Sequence, residues 1–257
     1  MSDELVVVGL AALLGAAIGS FLNVCILRLP SEQSIVRPPS RCPRCGQGIR
    51  WYDNIPILSW LVLRGRCRSC GNPISAQYPL VELANAALWG WMAYRYPYEL
   101  EALRAALFMS LLLGIAMTDA REYIIPDEFS LGGLVIGLLL SLIRGVAGLK
   151  TAAIGAVVGF ALFWVVATLG KAVFRKEAMG GGDIKMMAMV GAFTGWVGVL
   201  LTTFLGAIAG LLVFAPIALS GRQKLVPFGV FLAVGAAVAF LWGDALLLWY
   251  RHFAGIG

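Results

Sequence analysis

Apolar residues fill most of this chain in runs long enough to cross a lipid bilayer. A transmembrane helix needs about 20 consecutive apolar residues, and about 17 suffice at the short end. The pattern predicts an all-α polytopic membrane protein with about eight transmembrane helices. The division between the sixth and seventh spans rests on a single short stretch, residues 195–198. The predicted spans are roughly 5–28, 79–95, 101–118, 129–147, 151–173, 184–199, 200–219 and 226–250.

The first span is predicted to be a retained anchor rather than a secretory signal peptide. It opens with Asp3 and Glu4 instead of a basic region, and its apolar run is longer than that of a signal peptide. If residues 29–78 are cytoplasmic, most Lys and Arg residues, including Arg222 and Lys224, fall on the cytoplasmic side. The positive-inside rule then places the N-terminus outside. The basic residues left outside are Arg95, Arg104, Arg144, Lys150 and Arg251.

The composition agrees with a membrane protein and argues against a soluble one. Hydrophobic residues make up 60% of the chain and charged residues 13%, with a mean hydropathy of +0.85. Soluble domains have about a quarter of their residues charged. The net charge of +6 mostly reflects the orientation bias. Since no long basic run with interleaved aromatic residues accompanies it, we expect no nucleic-acid partner.

Two cysteine pairs lie in the segment between the first two spans. Cys42 and Cys45, and then Cys67 and Cys70, are each separated by two residues, and each pair is followed by a glycine. This spacing lets two thiolates reach one tetrahedral ion, so the four cysteines predict a structural Zn²⁺ site. Disulfides or free thiols are the alternative, and a reducing cytosol disfavours the disulfides. Between the pairs, residues 51–56 either face a partner or pack this small module.

Two aspartates stand at the ends of predicted spans, and both fall on the cytoplasmic side. Asp119 ends the third span, and Asp183 opens the sixth after three glycines. Ionisable groups at such positions are costly and predict a functional site. Paired carboxylates can share a proton and activate water, and Gly180 and Gly182 would let a substrate backbone approach closely. As a hypothesis, Asp183 at a helix start is the ionised base and Asp119 at a helix end is the protonated acid.

Four further polar residues near span ends each allow two interpretations. Asp127 is either a helix-start charge or a direct participant, and Lys185 either tunes the charge of Asp183 or extends toward the membrane interface. Asn23 either packs the first span against a neighbour or contacts substrate. Glu82 either binds a charged substrate terminus or complements the start of the second span.

The chain resembles the bacterial type IV prepilin leader peptidases, also called prepilin peptidase/N-methyltransferases, along nearly its whole length, because its motifs follow one another in the order typical of that family. The ordered set is highly specific, whereas a GxGD sequence alone would not be. The matching stretches are residues 19–24 and 28–30, the two cysteine pairs, residues 51–56 and 78–82, Asp119, residues 125–127, and residues 180–185.

The resemblance implies an intramembrane aspartic endopeptidase of the GxGD type, with Asp119 and Asp183 as its catalytic pair. It would cleave prepilins and pseudopilins, which carry an N-terminal leader and a hydrophobic helix, on the cytoplasmic side of the bacterial inner membrane. Family members with the cysteine domain also methylate the new N-terminal residue using S-adenosylmethionine, so we expect both activities. The sequence contains no recognisable pocket for this methyl donor.

We therefore predict three parts: a first transmembrane helix at 1–28, a cytoplasmic four-cysteine zinc module at 29–78, and a transmembrane aspartic peptidase bundle at 79–257. Two competing functions remain open from the residues alone. A transporter or channel could use paired intramembrane acids for gating, and a membrane scaffold could recruit pilus or secretion machinery through the zinc module. The sequence identifies neither the pilins that are processed nor the oligomeric state.

Overall fold

A computed structural model describes residues 2–96, 99–176, 179–219 and 226–255, and these are mostly helical. Arg222 and Lys224, which entered the orientation count, lie outside the described residues. The chain divides into two compact units, Met1–Ser110 and Leu111–Gly257. The boundaries of the three predicted parts differ from those of these two units, and the three-part division stays a prediction.

The first unit combines long helices with the cysteine-containing segment. Helix α1 spans Ser2–Arg28 and continues into a 3₁₀ turn at Leu29–Ser31. After the first cysteine pair come a 3₁₀ turn at Trp51–Asn54 and the short helix α2, Leu58–Val62. Helix α3 spans Gln77–Arg95, and α4, Glu99–Glu122, begins in this unit and ends in the second.

Small residues bring α1 and α3 close together. A Cβ atom added to Gly15 would lie 2.6 Å from the Trp89 Cβ, and one added to Gly19 would lie 2.8 Å from the Glu82 Cα. Two glycines four residues apart lie on one helix face, and in membranes such a pair lets helix backbones approach. The buried Asn85 amide donates a 2.7 Å hydrogen bond to the Gly15 carbonyl. The pair is therefore fixed by close contact and by a polar bond.

The second unit consists of the end of α4 and four more helices. These are α5 (Asp127–Ser141), α6 (Gly145–Phe174), α7 (Gly181–Leu219) and α8 (Phe228–Phe253), with a 3₁₀ turn at Leu142–Arg144. Helix α7 is interrupted at Gly195, whose φ of 71° and ψ of 179° are not helical. Gly155 of α6 and Gly191 of α7 lie backbone to backbone, because a Cβ at either position would overlap the other residue.

Among the described residues, five helical stretches are long and apolar enough to cross a membrane, so the chain is a multi-pass membrane protein. The predicted count of eight spans is not confirmed. The fourth and fifth predicted spans form one stretch because α5 passes through a 3₁₀ turn into α6, and the sixth and seventh share α7. The second corresponds to α3, where Glu82 and Asn85 interrupt the apolar run. The five stretches are Asp3–Ser31, Leu100–Glu122, Asp127–Phe174, Gly181–Ala215 and Phe228–Phe253.

Candidate active site and metal centre

Asp119 lies in the last turn of α4, and the start of a different helix holds its side chain. The residue is 6% exposed. Its Oδ2 accepts a 3.0 Å hydrogen bond from the backbone N–H of Val230, and the Gly229 amide also interacts with the carboxylate. Both donors belong to the first turn of α8, where backbone N–H groups lack the usual helical partner four residues earlier. The N-terminus of α8 thus supplies the donors that the C-terminus of α4 lacks.

Asp183 occupies the first turn of α7, as the sequence predicts for a helix start. Its backbone N–H donates to the Gly180 carbonyl at 3.2 Å, which closes the turn. Its carboxylate interacts electrostatically with that of Asp119. The structure therefore brings together the two aspartates that the sequence predicts as a catalytic pair, although they are distant along the chain.

The side chain of Ile125 lies between the starts of α7 and α8. A Cβ on Gly182 would lie 2.9 Å from the Ile125 Cβ, and a Cβ on Gly229 would lie 2.8 Å from the Ile125 Cδ1. A Cβ on Gly181 would meet no atom within 4 Å. Gly182 therefore has a steric reason to be glycine, whereas the space around Gly181 is open. Ile125 itself is buried.

Asp127 and Lys185 form an ion pair beside these aspartates. The Lys185 Nζ contacts both Asp127 carboxylate oxygens at 2.7 Å, and the side chains are 38% and 54% exposed, respectively, for the lysine and the aspartate. The pair connects the first turn of α5 to the first turn of α7. Asp127 thus combines a helix-start position with a specific partner on α7, Lys185.

Sequence reasoning missed the contribution of Gly229 and Val230. The predicted eighth span begins at the right place, and Pro227 before Phe228 is a typical signal for a helix start. The contacts to Asp119 are made by backbone atoms 110 and 111 residues away, which leave no side-chain pattern to find. The prediction that Asp119 is the acid considered only the dipole of α4, which opposes a negative charge at its C-terminus. The α8 amides stabilise a negative charge on Asp119 and so counteract that effect.

The four cysteines of the first unit converge as their spacing predicts. Their Sγ atoms all lie within 4.8 Å of one another, and the Cys42 and Cys70 sulfurs are 3.9 Å apart. With a Zn–S bond of about 2.3 Å, a tetrahedral site has sulfur–sulfur edges of about 3.8 Å. The cluster could therefore hold a metal ion, and its size and four-sulfur donor set fit zinc.

The two cysteine turns repeat one another in backbone geometry. Cys42 N–H donates to the Gln47 carbonyl and Cys67 N–H to the Asn72 carbonyl, at 2.9 and 2.8 Å. The glycine after each pair has a φ near +70°, a conformation that a side chain would strain. Backbone hydrogen bonds from Cys45 and Arg44 lower the pKa of the Cys42 thiol to about 6. A thiolate at this position is the form that binds metal.

The segment between the cysteine pairs packs on the second turn through one strong ion pair. Arg68 contacts both carboxylate oxygens of Asp53, at 2.6 to 3.1 Å, and its hydrogen bonds lower the pKa of Asp53. The Arg68 guanidinium also lies 5.6 Å from the centre of the Tyr52 ring. Trp51, in contrast, is 81% exposed. Both interpretations of residues 51–56 thus keep support, packing for Asp53 and an open surface for Trp51.

Asn23 and Glu82 lie in the first unit, where they hold its segments together. The Asn23 amide donates to the Tyr78 carbonyl at 3.0 Å, and the residue is 1% exposed. The buried Glu82 Oε2 accepts a 2.7 Å hydrogen bond from the Ile57 N–H. Ile57 has φ 63° and ψ −53°, and Leu58 N–H donates to the Pro56 carbonyl, which defines a strained γ-turn. Asn23 and Glu82 therefore both have structural partners.

Comparison with known proteins assigns the chain to a family. The model of the bacterial peptidase A24 N-terminal domain matches residues 13–96, and that of the type IV leader peptidase family matches residues 106–215. The prepilin leader peptidase/N-methyltransferase of Stutzerimonas stutzeri is 39% identical, over 98% of this chain and 96% of the relative. The chain belongs to the type IV leader peptidase family.

Other relatives agree with this family, and the predicted family is confirmed. The leader peptidase/N-methyltransferase of Pseudomonas aeruginosa is 38% identical over 95% of this chain and 93% of the relative. That of Myxococcus xanthus is 46% identical over 77% of this chain, and the alignment spans 61% of that relative's length. No solved structure matches this leader peptidase. The names of its relatives include both predicted activities, the leader peptidase and the N-methyltransferase, so the predicted enzyme class is confirmed at the level of the family.

Proposed function

We propose that this leader peptidase cleaves the leader peptide of type IV prepilins and pseudopilins with water activated between Asp119 and Asp183. One observation carries the proposal. The two carboxylates come from separate helices, yet they interact electrostatically, and Ile125 packs against the glycine beside each of them, Gly182 and Gly229. The names of the relatives support prepilins as the substrate class.

The proposed reaction needs one proton on the aspartate pair. The ionised carboxylate takes a proton from water while the water oxygen bonds to the scissile carbonyl carbon. The protonated carboxyl gives its proton to the carbonyl oxygen, which produces a neutral tetrahedral intermediate. When this intermediate collapses, the carbon–nitrogen bond breaks and the nitrogen takes the proton that the first carboxylate removed from water. The nitrogen leaves as the new N-terminal amine, while a hydroxyl of the intermediate returns a proton to the other carboxylate. Gly180 would leave room for the substrate backbone beside Asp183, whereas the space at Gly182 is taken by Ile125.

We place the enzyme in the bacterial inner membrane with eight crossings, a periplasmic N-terminus and a cytoplasmic active site. A helix rises about 1.5 Å per residue, so the 48-residue stretch Asp127–Phe174 would be about 72 Å long, and the bilayer core is about 30 Å. The non-helical residues Gly145 and Gly195 are natural places to divide the two long stretches. Helix α3 would be the remaining crossing. The excess of Lys and Arg in residues 29–78 supports the orientation.

The three proposed parts are the first transmembrane helix at 1–28, the zinc module at 29–78 and the peptidase bundle at 79–257. In the module, Cys42, Cys45, Cys67 and Cys70 would hold a structural Zn²⁺ ion, which would fix the two turns to each other. We also infer N-methylation of the new N-terminal residue with S-adenosylmethionine as the methyl donor. The relatives' name supports this activity, and we assign no residue to the donor.

The test compares cleavage of a prepilin by purified wild type, Asp119→Asn and Asp183→Asn. We expect both variants to lose cleavage, since an amide can neither accept a proton from water nor donate one as an acid. Asp244→Asn is the matched control, because Asp244 is an exposed aspartate of α8. Cleavage that persists in both catalytic variants would refute the protease mechanism, and persistence in one would refute that assignment.

The same experiment can report the second activity. Mass spectrometry of the mature pilin N-terminus gives the cut position and the added methyl group together. On precleaved substrate, methyl transfer should depend on S-adenosylmethionine and should survive both aspartate substitutions. A methyl transfer that requires either aspartate would contradict the proposal that methylation is independent of the catalytic pair.

A further inference from the structure

The N-terminus of α8 makes a specific contact with one catalytic aspartate that the sequence motifs do not include. The Val230 N–H donates to the Asp119 Oδ2 at 3.0 Å and also lies 3.3 Å from the Pro227 carbonyl within its own turn. Gly229 is buried beside the same carboxylate. The first turn of α8 therefore faces Asp119 with backbone donors rather than with side chains.

Gly229 allows this contact because it has no side chain. A Cβ at this position would lie 2.9 Å from the Asp119 Oδ2, 3.0 Å from the Asp119 Cγ and 2.8 Å from the Ile125 Cδ1. Carbon and oxygen atoms that do not bond normally stay at least about 3.3 Å apart. An alanine would therefore have to displace the carboxylate, the isoleucine or the helix. The close approach of α8 to Asp119 depends on glycine at 229.

We propose that Gly229 and the Val230 amide form a positioning element that orients Asp119 and stabilises its negative charge for water activation. This inference rests on the proposed function, because it assigns the element to a catalytic carboxylate. A hydrogen bond to Oδ2 fixes the plane of the carboxylate and leaves Oδ1 to receive the proton from water. A charged acceptor makes such a bond stronger than one between neutral groups.

The element also changes which aspartate acts as the base. The C-terminal end of α4 carries partial negative charge, which opposes an anion at Asp119. The positive N-terminal end of α8 and its N–H donors counteract this effect at close range. Asp183 also lies at a helix start, but it has one backbone donor, Gly180. Asp119 has two, Gly229 and Val230. This difference assigns Asp119 as the carboxylate that takes the proton from water and Asp183 as the acid that protonates the carbonyl oxygen. The positions of the two residues on their own helices suggested the opposite roles.

The decisive variant is Gly229→Ala, measured for kcat and KM on a prepilin substrate together with thermal unfolding. We expect kcat to fall roughly 10- to 100-fold while KM stays within about 2-fold, because substrate contacts are unchanged and the transition state loses an oriented base. Gly243→Ala in the same helix is the control, since its Cβ would lie at an ordinary 3.6 Å from the Leu201 Cδ2. The control should match wild type in all three measurements.

A second variant tests the same element by a different route. Ile125→Val removes the Cδ1 atom that a Gly229→Ala side chain would meet, so the double variant should recover part of the lost kcat. Val230→Pro removes the N–H donor and should lower kcat without a matching rise in KM. If Val230→Pro does not fold, the comparison of Gly229→Ala with its double variant decides the matter alone.

Each outcome has a separate meaning. A Gly229→Ala enzyme with wild-type kcat, or one that loses kcat only in proportion to lost folded protein, would overturn the positioning element. Absence of any recovery in the double variant would also count against it. These results leave the proposed function intact as long as Asp119→Asn and Asp183→Asn are inactive. If both of those variants cleave, the proposed function fails; if Asp119→Asn alone cleaves, the assignment of Asp119 fails and the positioning element with it.

Discussion

Two of the three glycines before Asp183, Gly181 and Gly182, should differ sharply in their tolerance of a methyl group. At Gly182 an alanine Cβ would lie 2.9 Å from the Ile125 Cβ, whereas at Gly181 it would meet nothing within 4 Å. Carbon atoms in favourable contact are about 3.5 to 4.0 Å apart, so Gly182→Ala requires a shift of about 0.6 to 1.1 Å. The shift must be taken by Ile125 or by the first turn of α7, which carries Asp183.

The expected magnitudes follow from this displacement. Misplacing a catalytic group by about 1 Å can cost about 100-fold in rate, so Gly182→Ala should lower kcat roughly 10- to 100-fold. Its stability should fall by about 0 to 2 kcal/mol, because overpacking costs about 1 to 3 kcal/mol and replacing a helical glycine by alanine returns about 1 kcal/mol. Gly181→Ala should keep wild-type activity and be up to about 1 kcal/mol more stable.

The assay measures initial cleavage rates of one prepilin in detergent, with thermal unfolding of the same samples. Gly181→Ala is the matched control because it adds the same methyl group one residue away. The reasoning would be refuted by equal activity of both variants. It would also be refuted if Gly181→Ala were the more damaged of the two.

Three further predictions concern other parts of the molecule. Cys42→Ser should lose bound zinc in elemental analysis and unfold at a lower temperature; unchanged zinc content would contradict the site. Lys185→Met should change stability by at most about 1 kcal/mol, because its partner Asp127 is exposed, and a double-mutant cycle with Asp127→Asn measures the coupling. Ser110→Ala should cost about 1 to 3 kcal/mol in thermal or denaturant unfolding, because it removes the 2.8 Å hydrogen bond to the buried Asn85; a neutral result would contradict this network.

The helices and the cysteine turns could be predicted because their signals are local. Apolar runs place the helices within a few residues, and the glycine after each cysteine pair has the positive φ that its position suggests. The predicted count of eight crossings stays a prediction. The two long stretches contain the non-helical residues Gly145 and Gly195, but glycines occur throughout these helices, so no local signal marks where one crossing ends.

The pairing of Asp119 with Asp183 was predictable in outline, but the surroundings of Asp119 were not. The sequence places both acids at the ends of predicted spans, on the predicted cytoplasmic side. It cannot show that α8 starts next to Asp119, because the contact is made by amides that every residue except proline has. A role assigned from the local helix alone is therefore open to reversal by a neighbouring helix.

The strained turn at Ile57 affects how the cysteine segment is oriented relative to α3. A β-branched residue in this conformation is disfavoured by about 1 to 3 kcal/mol and persists only where its surroundings enforce it. One contact that holds this turn is the Glu82 carboxylate, which binds the Ile57 amide. Loss of that contact would remove a restraint on the turn, so we expect the cysteine segment to change its angle about residues 56–58. One buried carboxylate thus helps to set the orientation of the cysteine segment on α3.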